Sequence, residues 1–160
     1  MKAKEENDSF MRQAISLANK GMHSNEGGPF GAIIVKNGKV VGVGNNRVTS
    51  TNDPTAHAEV VAIRDACKNL GTFQLDGCIL YTSCEPCPMC LGAIYWARPS
   101  EVFFGCTKED AAKIGFDDKL IYSELKVDRE HRKIKMTQIL QAEAQKVFDE
   151  WDQKHDKIKY

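Results

Sequence analysis

The chain has 160 residues, 42% of them apolar, and its 22 Lys and Arg residues balance its 22 Asp and Glu residues. This length and composition fit a single domain over residues 1–160 that needs no disulfides to fold, and the neutral charge disfavours a dedicated nucleic-acid binder. Because the sequence has neither an apolar run near ~18 residues nor an apolar segment behind its charged start, we expect a soluble, cytoplasmic protein that binds no nucleic acid and no membrane.

The first half of the chain predicts two helices with a hairpin between them. Residues 8–21 carry a capping residue at the start, apolar positions on one face and a glycine at the end. The apolar runs FGAIIV and KVVGVG flank Asn37-Gly38, a dipeptide typical of a type I′ hairpin turn. We expect Pro54 to open the second helix, which ends before Gly71.

The second half alternates between strands and helices. The predicted elements are a strand at 78–83, a helix at 90–97, a strand at 101–105, a helix begun by an approximate capping box of Thr107 and Asp110, a strand at 134–140 and a closing helix at 142–151. A hairpin followed by this alternation predicts an α/β fold with three layers, α/β/α, around one mixed central sheet.

Three of the six cysteines fall in TSCEPCPMC, residues 82–90. In a reducing compartment, clustered cysteines are more often metal ligands or catalytic groups than disulfides. Cys87 and Cys90 are three positions apart at a predicted helix start, so they share a helical face and can bind one ion. The helix N-terminus also favours their thiolate forms.

Two thiolates do not complete a tetrahedral site, and His57 is the candidate third ligand because it lies near the start of another predicted helix. Glu59 follows two positions later, and the two side chains can converge only at a helix end. A carboxylate beside a three-coordinate zinc can take and return the proton of a bound water, which gives Glu59 a catalytic role. The alternative is a closed, structural site with Cys84 as the fourth ligand.

His57-Ala58-Glu59 with Pro86-Cys87-Pro88-Met89-Cys90 has the H-x-E and P-C-x-x-C spacing of zinc nucleobase deaminases. On these residues the chain resembles the cytidine deaminase-like superfamily over nearly its whole length. The resemblance implies one Zn²⁺ per subunit on His57, Cys87 and Cys90, with Glu59 as the catalytic acid and base. It also implies a homodimer in which a C-terminal segment, about 140–160, closes an active site.

Within that superfamily the sequence looks most like bacterial guanine deaminases and next most like tRNA adenosine deaminases. The segment GFDDKLIYSE, residues 115–124, and the terminal Tyr160 resemble the guanine deaminases specifically. The expected reaction is therefore hydrolysis of free guanine, a small nucleobase, to xanthine and ammonia. A tRNA adenosine deaminase and a non-catalytic zinc-binding RNA or scaffold protein are the alternatives.

A pocket for guanine needs aromatic faces and amide or carboxylate groups to bind the edge of the base. If the resemblance holds, the substrate-binding residues are Asn46, Phe30, Trp96, Asp118 and Tyr160. Asn46 could use both halves of its amide, and Asp118 could accept from ring N–H donors. Each also has an ordinary structural explanation: core packing for the aromatic residues, a turn for Asn46, a cap for Asp118 and a frayed terminus for Tyr160.

Overall fold

A computed structural model describes residues 2–160, and the chain divides into two compact units between Asp118 and Lys119. The first unit contains α1 (Lys2–His23), β1 (Gly31–Lys36), β2 (Lys39–Asn45), α2 (Val48–Thr51), α3 (Ala58–Leu70), β3 (Cys78–Cys84), α4 (Pro88–Ala97), β4 (Glu101–Cys106) and α5 (Lys108–Lys113). The second contains α6 (Lys119–Glu124), a 3₁₀ turn (Arg129–His131) and α7 (Gln141–Gln153).

The four strands of the first unit form one mixed sheet in the order β2-β1-β3-β4. Strand β1 is antiparallel to both β2 and β3, whereas β3 and β4 are parallel. Helix α1 packs on one face around Ala14, Ile33 and Tyr81, and α3 and α4 cover the other face around Ile34 and Leu80. The predicted three-layer α/β/α architecture with a mixed central sheet is therefore confirmed.

The hairpin between β1 and β2 follows the sequence prediction closely. Asn37 has φ 51° and Gly38 has φ 72°, so both central residues lie in the left-handed region that a type I′ turn requires. Lys36 pairs with Lys39 on either side of the turn. The hairpin aligns β2 so that its last residues, Gly44 and Asn45, lie beside the start of α3.

Two glycines of β2 allow α3 to lie directly on the strand. A Cβ on Gly44 would be 2.3 Å from the Ala58 carbonyl oxygen, and one on Gly42 would be 2.6 Å from the Ala62 carbonyl oxygen. Any side chain at these positions would push the helix away from the sheet. Because α3 begins beside Gly44, this close contact sets the position of its N-terminal residues.

The structure corrects the predicted starts of the first two long helices. Helix α1 begins at Lys2 and ends at His23, beyond the predicted range of 8–21 at both ends. Pro54 does not open α3, which starts at Ala58. Instead, Asp53 Oδ1 accepts hydrogen bonds from the Thr55 backbone N–H at 2.8 Å and the Thr55 hydroxyl at 2.6 Å. This side-chain turn holds the proline outside the helix.

The second unit lacks the strand predicted at 134–140. Residues 135–140 have no regular secondary structure, because no neighbouring strand pairs with them in this part of the chain. The closing helix predicted at 142–151 is present as α7. Across residues 2–160, no helix combines the length and apolarity that crossing a membrane requires.

Candidate active site

Two helix N-termini on the same face of the sheet bring together the histidine and the cysteines. His57 is the N-cap residue of α3, and Cys87 is the N-cap residue of α4, with extended backbone at both positions. Pro88 occupies the first turn of α4, where its missing N–H leaves no hydrogen bond unmade. Cys90 lies in the same first turn and is fully buried.

The three side chains have the spacing that a tetrahedral zinc ion needs. His57 Nδ1 lies 3.5 Å from Cys87 Sγ and 3.5 Å from Cys90 Sγ. Zinc bonds of about 2.3 Å to sulfur and about 2.0 Å to nitrogen at tetrahedral angles separate the two atoms by about 3.5 Å. Among the described residues, His57, Cys87 and Cys90 form the one group suited to a metal ion. The residues therefore fit zinc.

The two cysteines differ in protonation when no metal is bound. Hydrogen bonding from Cys90 outweighs burial and, with a further hydrogen bond from His57, lowers the pKa of Cys87 to about 4. The interaction with Cys87 and then burial raise the pKa of Cys90 far above its ordinary value. The pair thus holds one thiolate and one thiol, and metal binding has only one cysteine proton to displace.

Glu59 lies in the first turn of α3 and is 6% exposed. Burial is the main cause that raises the pKa of its carboxyl group. The Cys90 thiol donates to Glu59 Oε2 at 3.5 Å, which places the carboxylate against the candidate metal group. A raised pKa suits a group that must both accept and donate a proton near neutral pH. As expected, His57 and Glu59 converge at a helix end.

Cys84 does not join the candidate metal group. Its side chain, 7% exposed, lies at the end of β3, and its Sγ donates to the Thr107 carbonyl oxygen at 3.6 Å. A closed site with four protein ligands thus has no support among the described residues. The group of His57, Cys87 and Cys90 leaves the fourth tetrahedral position for a water or substrate atom.

Asn46 is buried directly after β2, and its backbone N–H donates to the Phe30 carbonyl oxygen at 3.0 Å. Its side-chain Oδ1 accepts from the backbone N–H groups of Gly28 and Val48, each at 3.2 Å. Both lone pairs of Oδ1 are therefore used, and only the Nδ2 donors remain for a ligand. This differs from the expectation that both halves of the amide could contact a base.

Aromatic rings and a carboxylate lie close to Asn46 and Cys87. Phe30 contacts Phe116 edge to face, with ring centroids 4.9 Å apart. Asp118 lies two residues after Phe116. Burial, and then the negative charge of Cys87, raise the pKa of its carboxyl group. That coupling places the Asp118 carboxylate within electrostatic range of the candidate metal group. Phe30 and Asn46 are therefore neighbours, and Asp118 lies within electrostatic range of Cys87.

Trp96 and Tyr160 are the two remaining residues expected to bind the base. Trp96 lies near the end of α4 and is 65% exposed, and Tyr160 belongs to the second unit. Their roles in substrate binding stay predictions.

Sequence reasoning missed Phe116 and the glycines next to Asn46. A Cβ on Gly27 would be 2.2 Å from Asn46 Oδ1, and one on Gly28 would be 2.9 Å from the Phe116 ring. The GGPFG run and the aromatic residue two positions before Asp118 were the available signals. Neither signal has a metal-like spacing that identifies it without the fold.

Comparison with known proteins agrees with this geometry. Residues 4–106 match the cytidine and deoxycytidylate deaminase zinc-binding region. The chain belongs to this family. The match contains His57, Glu59, Cys87 and Cys90 and ends at the last residue of β4. The matched region is a zinc-binding region, which agrees with the group of His57, Cys87 and Cys90 in the structure.

Similarity to one member of the family extends over almost the whole chain. The sequence is 54% identical to guanine deaminase from Bacillus subtilis (strain 168) over 153 residues, 96% of this chain and 98% of that protein. The X-ray structure of the Bacillus subtilis guanine deaminase superimposes with a TM-score of 0.93 over 96% of this chain and 98% of that one. A tRNA-specific adenosine deaminase from Aquifex aeolicus (strain VF5) is 43% identical, over 59% of this chain and 62% of its own.

Proposed function

We propose that this protein is a guanine deaminase that hydrolyses free guanine to xanthine and ammonia. The observation that carries the proposal is the 54% identity that continues through 98% of a guanine deaminase, whereas tRNA-specific adenosine deaminases are matched at lower identity and over a smaller share of their length. The deaminase zinc-binding region and the His57-Cys87-Cys90 group support the same reaction class.

In this proposal His57, Cys87 and Cys90 hold one Zn²⁺ and Glu59 transfers protons. A zinc ion bound by three protein ligands lowers the pKa of water and so supplies hydroxide at neutral pH. Glu59 accepts the proton released by the water and delivers it to the ring nitrogen beside the carbon under attack. It then takes the remaining proton from the hydroxyl group added to that carbon and passes it to the departing amine, which leaves as ammonia. Its burial next to Cys90, one of the three candidate metal ligands, supports this role.

Asn46, Phe30 and Asp118 bind and orient the guanine ring. Asn46 donates through Nδ2 to an acceptor on the base, because its Oδ1 is held by two backbone N–H groups. Asp118 accepts from ring N–H donors, and Phe30, supported by Phe116, contacts the flat face of the base. Trp96 and Tyr160 contribute further aromatic contacts.

We also propose that the protein is a cytoplasmic homodimer that acts on a free base and binds no nucleic acid. The six cysteines are all unpaired, which suits a reducing compartment. In one isolated chain, large apolar side chains are exposed on α4 and on the second unit. They include Leu91, Tyr95, Phe148 and Trp151. Such exposure favours a subunit interface, and the segment 140–160 closes an active site of the dimer.

Turnover of guanine by zinc-loaded protein, followed by ultraviolet absorbance, tests the function. Adenine, cytosine and an adenosine-containing anticodon stem-loop are assayed in parallel. We expect xanthine and ammonia in equal amounts from guanine and no inosine in the stem-loop. Inert guanine beside a deaminated stem-loop would contradict the proposed substrate and leave the zinc chemistry intact.

A further inference from the structure

Strands β3 and β4 both end in a cysteine, and the two cysteines are in register. Cys84 and Cys106 are Cα partners at the last position of the parallel pair. Partners on neighbouring strands project to the same face of a sheet, with the strands about 4.8 Å apart. That separation lies inside the Cα to Cα range of about 4.4–6.8 Å found across disulfides. The backbone thus already meets the main distance requirement for a bond.

The two thiols differ in their access to solvent. Cys106 is exposed, whereas Cys84 is 7% exposed. Burial and then the neighbouring Cys106 raise the pKa of Cys84 to about 11, so Cys84 stays a thiol at neutral pH. A dissolved oxidant therefore reacts with Cys106 first. Cys84 is the neighbouring thiol that can then form a disulfide with the oxidised Cys106.

We propose that Cys84 and Cys106 form a reversible disulfide that inhibits the enzyme when a hydroperoxide oxidises it. The proposal goes beyond the proposed function, and only its activity measurement rests on guanine deamination. The inferred bond joins two cysteines outside the group of His57, Cys87 and Cys90.

The chemistry balances with hydrogen peroxide as the oxidant. The Cys106 thiolate attacks one peroxide oxygen, the O–O bond breaks, and the departing hydroxide takes up a proton to leave as water. Cys84 sulfur then attacks the sulfur of the Cys106 sulfenic acid and loses its own proton, and a second water leaves. Two thiols and one peroxide thus give one disulfide and two waters, and a dithiol reverses the oxidation.

The disulfide would disturb the segment that carries the candidate ligand Cys87. Glu85 follows Cys84 directly, and its backbone N–H donates to the Cys106 carbonyl oxygen at 2.8 Å. Its carboxylate accepts the backbone N–H of Lys108 at 3.1 Å. The Cβ atoms joined by a disulfide lie about 3.8 Å apart. Forming the bond would also move the Cys84 sulfur away from the Thr107 carbonyl oxygen. Movement of about 1 Å near reacting groups can reduce a rate by about 100-fold.

In the test, the zinc-loaded protein of residues 1–160 is treated with increasing hydrogen peroxide, and its free thiols are then blocked with iodoacetamide. Peptide mapping by mass spectrometry identifies the linked cysteines, a chromogenic chelator measures bound zinc, and guanine turnover measures activity. We expect a Cys84–Cys106 linkage, at least about a tenfold loss of turnover, zinc still bound, and recovery with dithiothreitol.

Two variants separate this bond from other cysteine oxidation. Cys106→Ser should keep the basal activity and lose the peroxide sensitivity. Cys67→Ser is the matched control. Burial, and then the neighbouring Cys78, raise the pKa of the Cys67 thiol. Cys67 and Cys78 are therefore close enough to offer a second linkage. This control should stay as sensitive to peroxide as the wild type.

Three results would overturn the proposal. The first is an absence of the Cys84–Cys106 peptide after oxidation. The second is equal sensitivity of Cys106→Ser and the wild type, with zinc released, which would assign the damage to Cys87 and Cys90. The third is a mapped disulfide with unchanged turnover. If the untreated protein does not deaminate guanine, the proposed function fails, and the mapping still decides whether the bond forms.

Discussion

Glu59 is a residue whose burial suits catalysis and reduces the stability of the fold near neutral pH. The carboxyl group is buried at the start of α3, and burial raises its pKa. A group with a raised folded pKa contributes most to stability below its unfolded pKa, and that contribution is lost as the pH rises through the folded value. Near neutral pH the buried carboxyl group therefore stabilises the metal-free protein less than it does at low pH, a cost that a catalytic role would account for.

Replacement of Glu59 by glutamine should separate these two effects. We expect Glu59→Gln to lose guanine turnover by about 10² to 10⁴-fold, because the amide cannot transfer the protons, and to keep one zinc per chain. The metal-free variant should be more stable than metal-free wild type near pH 7, and this gain should shrink toward pH 4. Steady-state kinetics, zinc content and urea denaturation measure these properties.

Glu109→Gln, on the exposed first turn of α5, is the matched control and should change neither activity nor zinc content. Loss of zinc from Glu59→Gln would show that the carboxylate is a ligand, and full activity would remove it from the mechanism.

The sequence was most informative where chemistry dictates both residue type and spacing. His57, Glu59, Cys87 and Cys90 could be chosen as candidates because zinc and proton transfer need those groups, and the structure brings them together. Phe116 could not be chosen this way, because an aromatic residue is equally common in a core. The role of Asn46 Oδ1 in binding the backbone N–H groups of Gly28 and Val48 likewise depends on contacts that spacing does not reveal.

At the scale of elements, the glycines of β2 determine where α3 can lie. We expect Gly44→Ala to destabilise the protein by about 2 kcal/mol or more, because the new Cβ would lie 2.3 Å from the Ala58 carbonyl oxygen. Turnover should also fall, since Ala58 lies between His57 and Glu59 and must move. Urea denaturation and guanine kinetics measure the two effects.

Gly92→Ala provides the opposite control within a helix. No atom lies within 4 Å of a Cβ built on Gly92, so alanine there should stabilise the protein by about 0.5–1 kcal/mol. Equal effects of the two substitutions would contradict the argument that α3 and β2 are in close contact at Gly44.

The capping box of α5 predicts a pH-dependent contribution to stability. The backbone N–H of Thr107, then Lys113 and the Thr107 hydroxyl, lower the pKa of Asp110 from its usual 3.8 to about 2. A lowered folded pKa stabilises the protein above the unfolded pKa, and the contribution disappears as the pH falls through the folded value. Wild type should therefore be more stable than Asp110→Asn at pH 7, and the difference should shrink between about pH 4 and pH 2.

The urea midpoints of wild type and Asp110→Asn across that pH range measure the difference in stability. Glu109→Gln is the control, because it removes one negative charge from the same turn. A difference that stays constant down to pH 2 would show that the cap does not depend on the charge of Asp110.

The same elements show why some boundaries were predicted and others were not. The Asn37-Gly38 turn and the Thr107 cap are local devices whose residues specify their own geometry. The predicted helix start at Pro54 is wrong because the Asp53 side chain accepts a hydrogen bond from the Thr55 backbone N–H and forms a turn in front of the helix. The strand predicted at 134–140 is absent because a strand also needs a neighbour, and apolar residues alone do not supply one.

At the scale of the whole molecule, the second unit exposes several large apolar side chains. Val147, Phe148 and Trp151 on α7 are 62%, 69% and 45% exposed in the isolated chain. Helix α7 is amphipathic, and its apolar face requires a partner to bury it. A second copy of the chain is the partner that the proposed homodimer supplies, and the segment 140–160 would then act in that copy.

Mixed dimers test whether the C-terminal segment serves the partner's site. We expect Tyr160→Ala to lower the catalytic efficiency, kcat/KM, for guanine by at least about tenfold through lost substrate contacts. Glu59→Gln and Tyr160→Ala chains carrying different tags are then co-expressed and purified through both tags. If the segment acts across the dimer, one site per mixed dimer combines Glu59 with an intact Tyr160, and about half of the wild-type activity returns. If it acts within its own chain, both sites stay impaired and no activity beyond that of the single variants appears. A monomer in analytical ultracentrifugation, or full activity of Tyr160→Ala, would contradict the proposed closure of the site.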